Sequence, residues 1–345
     1  MKKSILSFIL LFTSLASLSI TNDMAQTKSG LFTTITTKQG LGSNLVKNVY
    51  VTNGDIYAAT YGGLSISTNQ GESFDNKTVD ENGLASNVVF AAYAADGKIY
   101  AATVPSQGNT GGLSISDDNG EHFTNYTTAN GFGSNDASDV YVQGQHIYVA
   151  TQDYDGPGGL AISTDGGKHF SNRTTINGLS SDNVISVYAE GETIYAATAP
   201  DYDGMGGGLS ISTDGGYNFK NFTTGFKSND ISDLFVTAHY IYTTTAYYDG
   251  SGGVSVFTKD GQHLRNYTME NGLGSDQAWS IYVNGNELYV GTNHGLSIST
   301  DGGEHFSNYT TENGLGGNQV YGVYVYHHIV YAATNHGLSI SDEPL

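Results

Sequence analysis

The sequence predicts an all-β chain: a seven-bladed β-propeller of four-stranded blades, closed by its own N-terminal strand. Three observations carry this. The phrase "GLSIS", or a near copy, recurs seven times, at Gly63, Gly112, Gly159, Gly208, Gly253, Gly295 and Gly337. Around each copy lie short runs rich in Ile, Val, Tyr and Thr, broken by Gly, Asn and Asp, with no helical period. The last unit lacks its final strand, and the segment ahead of the first unit supplies a spare one.

The chain opens MKKSILSFILLFTSLASLSI, a basic start followed by a diluted apolar run. That pattern predicts a bacterial-type signal peptide over residues 1–25, cleaved between Ala16 and Ala25, and a secreted or periplasmic product. The run is too short and too polar for a membrane span, so no membrane insertion is expected. Residues 31–345 form one domain in this reading. Cysteine is absent, which excludes disulfides, thiolate metal sites and cysteine nucleophiles. The net charge of −20 repels phosphate backbones and argues against a nucleic-acid partner. A monomer is the expected state.

Each unit supplies four strands. An "IYAAT"-type run, as at Ile56 or Ile194, precedes GLSIS, and a run such as "HFSNYTT" (His305 to Thr311) follows it. Turns of the form "ENGLGSN" join successive units. Phe123 and Phe170, at equivalent places, are 47 residues apart, and four strands in that length match a propeller blade. The seventh unit stops at Ser341, and "LFTTITT" (Leu31 to Thr37) is the strand it lacks. Pairing the two removes an open edge.

The turns after GLSIS read STNQGESF, SDDNGEHF, STDGGKHF, STDGGYNF and STDGGEHF, from Ser67, Ser116, Ser163, Ser212 and Ser299. They resemble the Asp-box, or BNR, repeat. A stretch such as NGLGSDQAWSIYVNGNELYVGTNHGLSIS, from Asn271, is similar to the two-component regulator propeller repeat. Both resemblances imply a propeller. Asp118, Asp165, Asp214 and Asp301 are then turn-capping residues, not catalytic ones. Sialidases are the best-known enzymes of the Asp-box class, and the resemblance implies an arginine triad for them. This chain has only Arg173 and Arg265, so a sialidase is excluded.

In a four-stranded meander the connections alternate between the two ends of a blade. The second-to-third connections therefore emerge opposite the Asp-box turns, beside the channel mouth. Four consecutive blades lengthen this connection: VPSQGNTGG from Val104, QDYDGPGG from Gln152, PDYDGMGGG from Pro200 and AYYDGSGG from Ala246. The other three keep a tight turn, at Tyr61-Gly62, Asn293-His294 and Asn335-His336. One side of one face thus carries a wall of Asp, Tyr and Gly, the composition of a binding surface.

The candidate binding residues are Asp153, Tyr154, Asp155, Asp201, Tyr202, Asp203, Tyr248 and Asp249, with His294 and His336 in the short turns opposite. Tyrosine would stack on a sugar and carboxylates would grip its hydroxyls. The same mixture suits a protein partner. Calcium could be held by Asp153, Asp155, Asp201 and Asp203, although the distal bidentate Glu of an EF-hand is missing. No zinc set is spaced to converge. The leading expectation is a binding propeller for a glycan or protein. The alternative is a glycoside hydrolase or polysaccharide lyase using the loop carboxylates. An assembly scaffold is a third reading. Six Asn-x-Thr sequons, at Asn76, Asn125, Asn172, Asn221, Asn266 and Asn308, are expected to carry no glycans in a bacterial product.

Overall fold

β-Branched and aromatic residues alternating with Gly-Asn-Asp turns leave this chain little to form except antiparallel strands. In the computed structural model, which describes residues 30–153, 156–201, 204–246 and 251–345, they build seven four-stranded antiparallel sheets. The sheets follow one another as propeller blades. Blade 1 runs from Val46–Thr52, the inner strand, through Asp55–Thr60 and Gly63–Ser67 to Asp75–Lys77. Blades 2 to 6 repeat that order. The strand Phe32–Ile35 completes blade 7, pairing antiparallel with Gly337–Ser341 in the register Phe32↔Ser341 to Ile35↔Leu338. The expected strand exchange between the ends is present.

The cores lie between blades. Tyr57, Ala59 and Leu64 of blade 1 pack with Val89, Ala92 and Ala101 of blade 2, and the other interfaces repeat this arrangement. In the third strands even the serines are buried: Leu64 and Ser65 are both 0% exposed. A buried hydroxyl must find partners. Ser65 Oγ donates to Asn76 Oδ1 at 2.8 Å and accepts from Gly42 N–H at 3.0 Å. Asn76 Nδ2 in turn donates to the Gly62 carbonyl. Four of the sequon asparagines are thus staples from the outer strand to the third strand, as Ser114–Asn125, Ser210–Asn221 and Ser297–Asn308 repeat the bond, whereas Asn172 pairs with Ala161 and lacks the serine. The sequon threonines serve too. Thr127, Thr174, Thr268 and Thr310 cap single 3₁₀ turns between blades, Thr78 caps the short helix Val79–Asn82, and Thr36, which follows the closing strand without a sequon, caps an equivalent turn. The sequence pattern read these connections as plain turns, because one helical turn is too short to show a period.

The Asp-box turns are capped as expected. Ser116 Oγ donates to Asp118 Oδ1 at 2.7 Å and accepts from Gly120 N–H, while Asp118 Oδ1 accepts from His122 N–H. Hydrogen bonds from the His122 backbone and ring hold the Asp118 carboxyl well below the usual range. Asp165 and Asp301 are held low in the same way by His169 and His305.

Because all four strands of a blade are antiparallel, the second-to-third connections leave the end opposite these boxes. A buried threonine closes each stem: Thr60 Oγ1 donates to Gly63 O, Thr151 to Gly159 O and Thr292 to Gly295 O. That latch is the same whether the connection has two residues or seven. It explains how QDYDGPGG is inserted without disturbing the blade. Glycine is required at the latch: Gly159 has φ +123°, and a Cβ there would stand 2.4 Å from the Arg173 carbonyl oxygen.

Candidate functional site at the channel mouth

Every inner strand begins with a register shift against its neighbour, between Val46 and Asn48 in blade 1 and at the equivalent pair in the other six. A bulge turns one extra side chain off the ladder. The residues so displaced are Lys47, Phe90, Ser138, Ile185, Ser232, Trp279 and Tyr321, and all seven line one cavity of about 280 Å³ on the loop-bearing face. Grooves of about 330 and 510 Å³ exist among residues of the Asp-box turns and first-to-second hairpins. Each of those is built by two neighbouring blades, whereas the channel-mouth cavity draws on the whole ring.

The cavity has two unlike arcs. Blades 6, 7, 1 and 2 contribute Trp279, Tyr321, Lys47 and Phe90. The Trp279 and Tyr321 rings meet edge to face at 5.9 Å, and Tyr61 of the low rim meets Phe90 at 6.0 Å. Lys47 Nζ stands 4.5 Å from the Tyr321 ring centre and 5.1 Å from that of Phe90. Burial lowers the Lys47 pKa to about 8, and no carboxylate among the described residues pairs with it. Trp279 Nε1 and Ser280 Oγ are buried without a hydrogen-bond partner among the described residues, and Ser280 is 5% exposed.

Blades 3, 4 and 5 contribute hydroxyls and acids. Ser138 Oγ and Ser232 Oγ donate to Val184 O and Ala278 O of the next blade, at 2.9 and 2.7 Å. Asp139 and Asp233 accept from the next blade's Val187 and Ile281 N–H groups, at 3.0 and 3.1 Å. Each also accepts from the N–H of its own following residue. Ser186 Oγ lies between the two acids, 3.0 Å from Asp139 Oδ2 and 3.2 Å from Asp233 Oδ1. Burial raises both carboxyls, Asp233 to about 7, against the opposing pull of these hydrogen bonds. Asp230, at the entry to blade 5, is also raised by burial.

Further along the inner strands, aromatic side chains of successive blades contact one another. Tyr50 contacts Tyr93 at 4.6 Å and Tyr324 at 5.2 Å, Tyr141 contacts Tyr188 at 4.7 Å, and Tyr282 contacts Phe235 and Tyr324 at 5.0 Å. Desolvation raises the hydroxyls of Tyr93, Tyr141 and Tyr324 well above their ordinary range, so they stay neutral.

Of the residues expected from sequence, Tyr154, Asp155, Tyr202, Asp203, Tyr248 and Asp249 lie outside the described residues. Asp201 Oδ1 accepts from Met205 N–H at 2.8 Å, which closes its own loop. His294 and His336 are exposed in their turns, each anchored through its backbone N–H to the latch threonine. Neither Asp153 nor Asp201 lines the cavity, but two of the lengthened connections touch it: Gln152 of the blade 3 connection and Ala246 of the blade 5 connection stand on its wall. Among the described residues no three His, Asp or Glu side chains converge on a metal position. The lengthened connections belong to blades 2 to 5, which carry Phe90 and the hydroxyl and acid arc, while Trp279, Tyr321 and Lys47 belong to blades 6, 7 and 1, whose connections are short.

The seven bulge residues escaped the sequence reading, which followed what the repeats share. Their signal is the opposite one. At the start of each inner strand the repeats disagree, as KN, FA, SD, IS, SD, WS and YG, and the chain's single tryptophan is at this position.

No protein-family model matches the chain. No curated protein sequence matches it either. Among solved structures it is similar to the extracellular domain of a hybrid two-component system from B. thetaiotaomicron, with a TM-score of 0.72 at 18% identity over 91% of this chain and 42% of that one. It is also similar to a GH74 enzyme from Niastella koreensis, with a TM-score of 0.66, 18% identity, and 89% and 53% of the two chains covered. A GH74 xyloglucanase from Xanthomonas campestris gives 0.65, 14%, 90% and 53%. The chain thus spans about half of these proteins or less. No helix among the described residues is long and apolar enough to cross a membrane. What the chain shares with these extracellular sensor domains and enzymes is the propeller fold.

Proposed function

We propose that this chain is an exported carbohydrate-binding propeller whose ligand enters through the loop-bearing face and seats at the channel mouth. The observation that carries this reading is the meeting of stacking surfaces with unsatisfied polar atoms. Trp279, Tyr321 and Phe90 line one arc, and buried Trp279 Nε1 and Ser280 Oγ have no partner among the described residues. A sugar ring answers both, with an apolar face and hydroxyls that donate and accept. The cavity, at about 280 Å³, falls just below the usual range of about 300–1,000 Å³, which suits a ring or two better than a folded partner. The lengthened connections would extend contact along a longer glycan, with Tyr154, Tyr202 and Tyr248 stacking and the neighbouring carboxylates accepting from hydroxyls. The likeness to extracellular sensor domains is in keeping with a ligand-binding role.

Trp279 is the only tryptophan, so its emission reports the site directly. Titrating a panel of mono- and oligosaccharides should shift that emission for at least one sugar. Tyr154→Ala with Tyr202→Ala should weaken oligosaccharides more than single sugars. An emission spectrum that no glycan alters refutes this reading.

A second reading is hydrolytic, and one observation favours it: two buried acids, Asp139 and Asp233, share a hydroxyl at the cavity. Against it, all four of their oxygens already accept from the protein. Blade-to-blade stapling accounts for them without catalysis. Turnover of a polysaccharide that is lost in Asp233→Asn with the fold intact would promote the enzyme.

A further inference from the structure

The unpaired groups in the cavity are not scattered. Lys47 stands on blade 1, and Asp230 stands at the entry to blade 5, roughly across the ring. Neither side chain has an ion-pair partner among the described residues. Burying an unpaired charge is costly, and a cavity keeps such groups at a cost that a complementary ligand offsets. Trp279 Nε1, a donor without an acceptor, lies on the same arc as Lys47. One side of the cavity therefore offers donors and a positive charge, and the far side offers an acceptor.

We infer that the ligand of this cavity is an acidic sugar, a hexuronate, with its carboxylate on Lys47 Nζ, its ring against Trp279, and its far hydroxyls donating to Asp230. The inference rests on the carbohydrate reading above and deepens it. Asp139 and Asp233 do not oppose it strongly. Their oxygens are turned into protein hydrogen bonds, and burial favours their neutral forms. The chain's net charge of −20 repels an anion at long range. That repulsion is screened beyond about 8 Å at physiological ionic strength, whereas the contact with Lys47 is direct. A zwitterionic amino acid would match the two charges but has no ring to cover Trp279.

The test is calorimetric titration with methyl glucuronide and methyl galacturonide, their parent methyl hexosides, the corresponding uronamides and a neutral amino acid, at about 0.15 M salt. At least one uronide should bind about tenfold or more tightly than both its hexoside and its uronamide, as a charge-assisted contact requires. Lys47→Met should bring uronide and hexoside within about twofold of each other, and Lys47→Arg should keep the preference. The uronamide comparison uses the unaltered protein, so it decides even if Lys47→Met does not fold. Equal affinity for uronide, hexoside and uronamide overturns this inference and leaves the carbohydrate reading standing. Tighter binding of the amino acid than of either uronide also overturns it. No binding of any sugar overturns both.

Discussion

Removing the side chains of Phe32 and Ile35 should open the ring. The two residues point to opposite faces of the closing strand, and each enters a different inter-blade core. Phe32, 5% exposed, packs with Leu296, Ile298 and Leu315 at the blade 6–7 interface. Ile35, 7% exposed, packs with Val49, Leu338 and Tyr331 at the blade 7–1 interface. Truncating a buried Phe to Ala costs about 3–5 kcal/mol and a buried Ile about 2–5 kcal/mol. The cores are separate, so the two costs should nearly add. The double variant then loses about 5–10 kcal/mol, against a typical total of about 5–15 kcal/mol for a domain. Urea titration of the single and double variants measures these values. Hydrogen exchange should show Gly337–Ser341 losing protection first, since that strand becomes a bare edge. A double variant destabilised by less than about 2 kcal/mol, which is the low end for one core truncation, refutes the strand exchange as the lock.

Two further outcomes follow from the same structure. Burial raises Asp233 to about 7 in the folded state, so it stays protonated there after it has ionised in the unfolded chain. The folded state binds the extra proton, and this group's contribution to stability is present below about pH 4 and is lost as pH rises to about 7. The loss is on the order of 4 kcal/mol at most, and urea titrations across that window should show a slope that Asp233→Asn flattens; equal slopes refute the assignment. Gly159→Ala should lower the melting temperature much more than Gly144→Ala. Both have positive φ, but a Cβ at Gly159 meets the Arg173 carbonyl oxygen at 2.4 Å and one at Gly144 meets nothing within 4 Å. Equal losses would refute the special demand for glycine at the latch, where φ is +123° against +58° at Gly144.

The repeated residues made the scaffold legible. GLSIS and IYAAT report the two fully buried strands, the Ser-x-Asp-x-Gly turns report one end of each blade, and the truncated last unit reports closure. The strand phrases recur seven times and the turns five times as local patterns, so their physical meaning survives without knowledge of neighbours. The asymmetric wall was legible for the same reason, since a lengthened connection is visible by counting. What the wall overlooks was not. Asp139 and Asp233, 94 residues apart, come to share Ser186 only because blades 3, 4 and 5 stand side by side.

By itself, then, the sequence determined the ring, its closure and which face carries the long connections, because periodicity and turn chemistry act over a few residues. Only the tertiary structure decided which side chains meet at the axis. One bulge per inner strand turns Lys47, Phe90, Trp279 and Tyr321 to a common point, and that convergence depends on closing the circle, which no single repeat encodes.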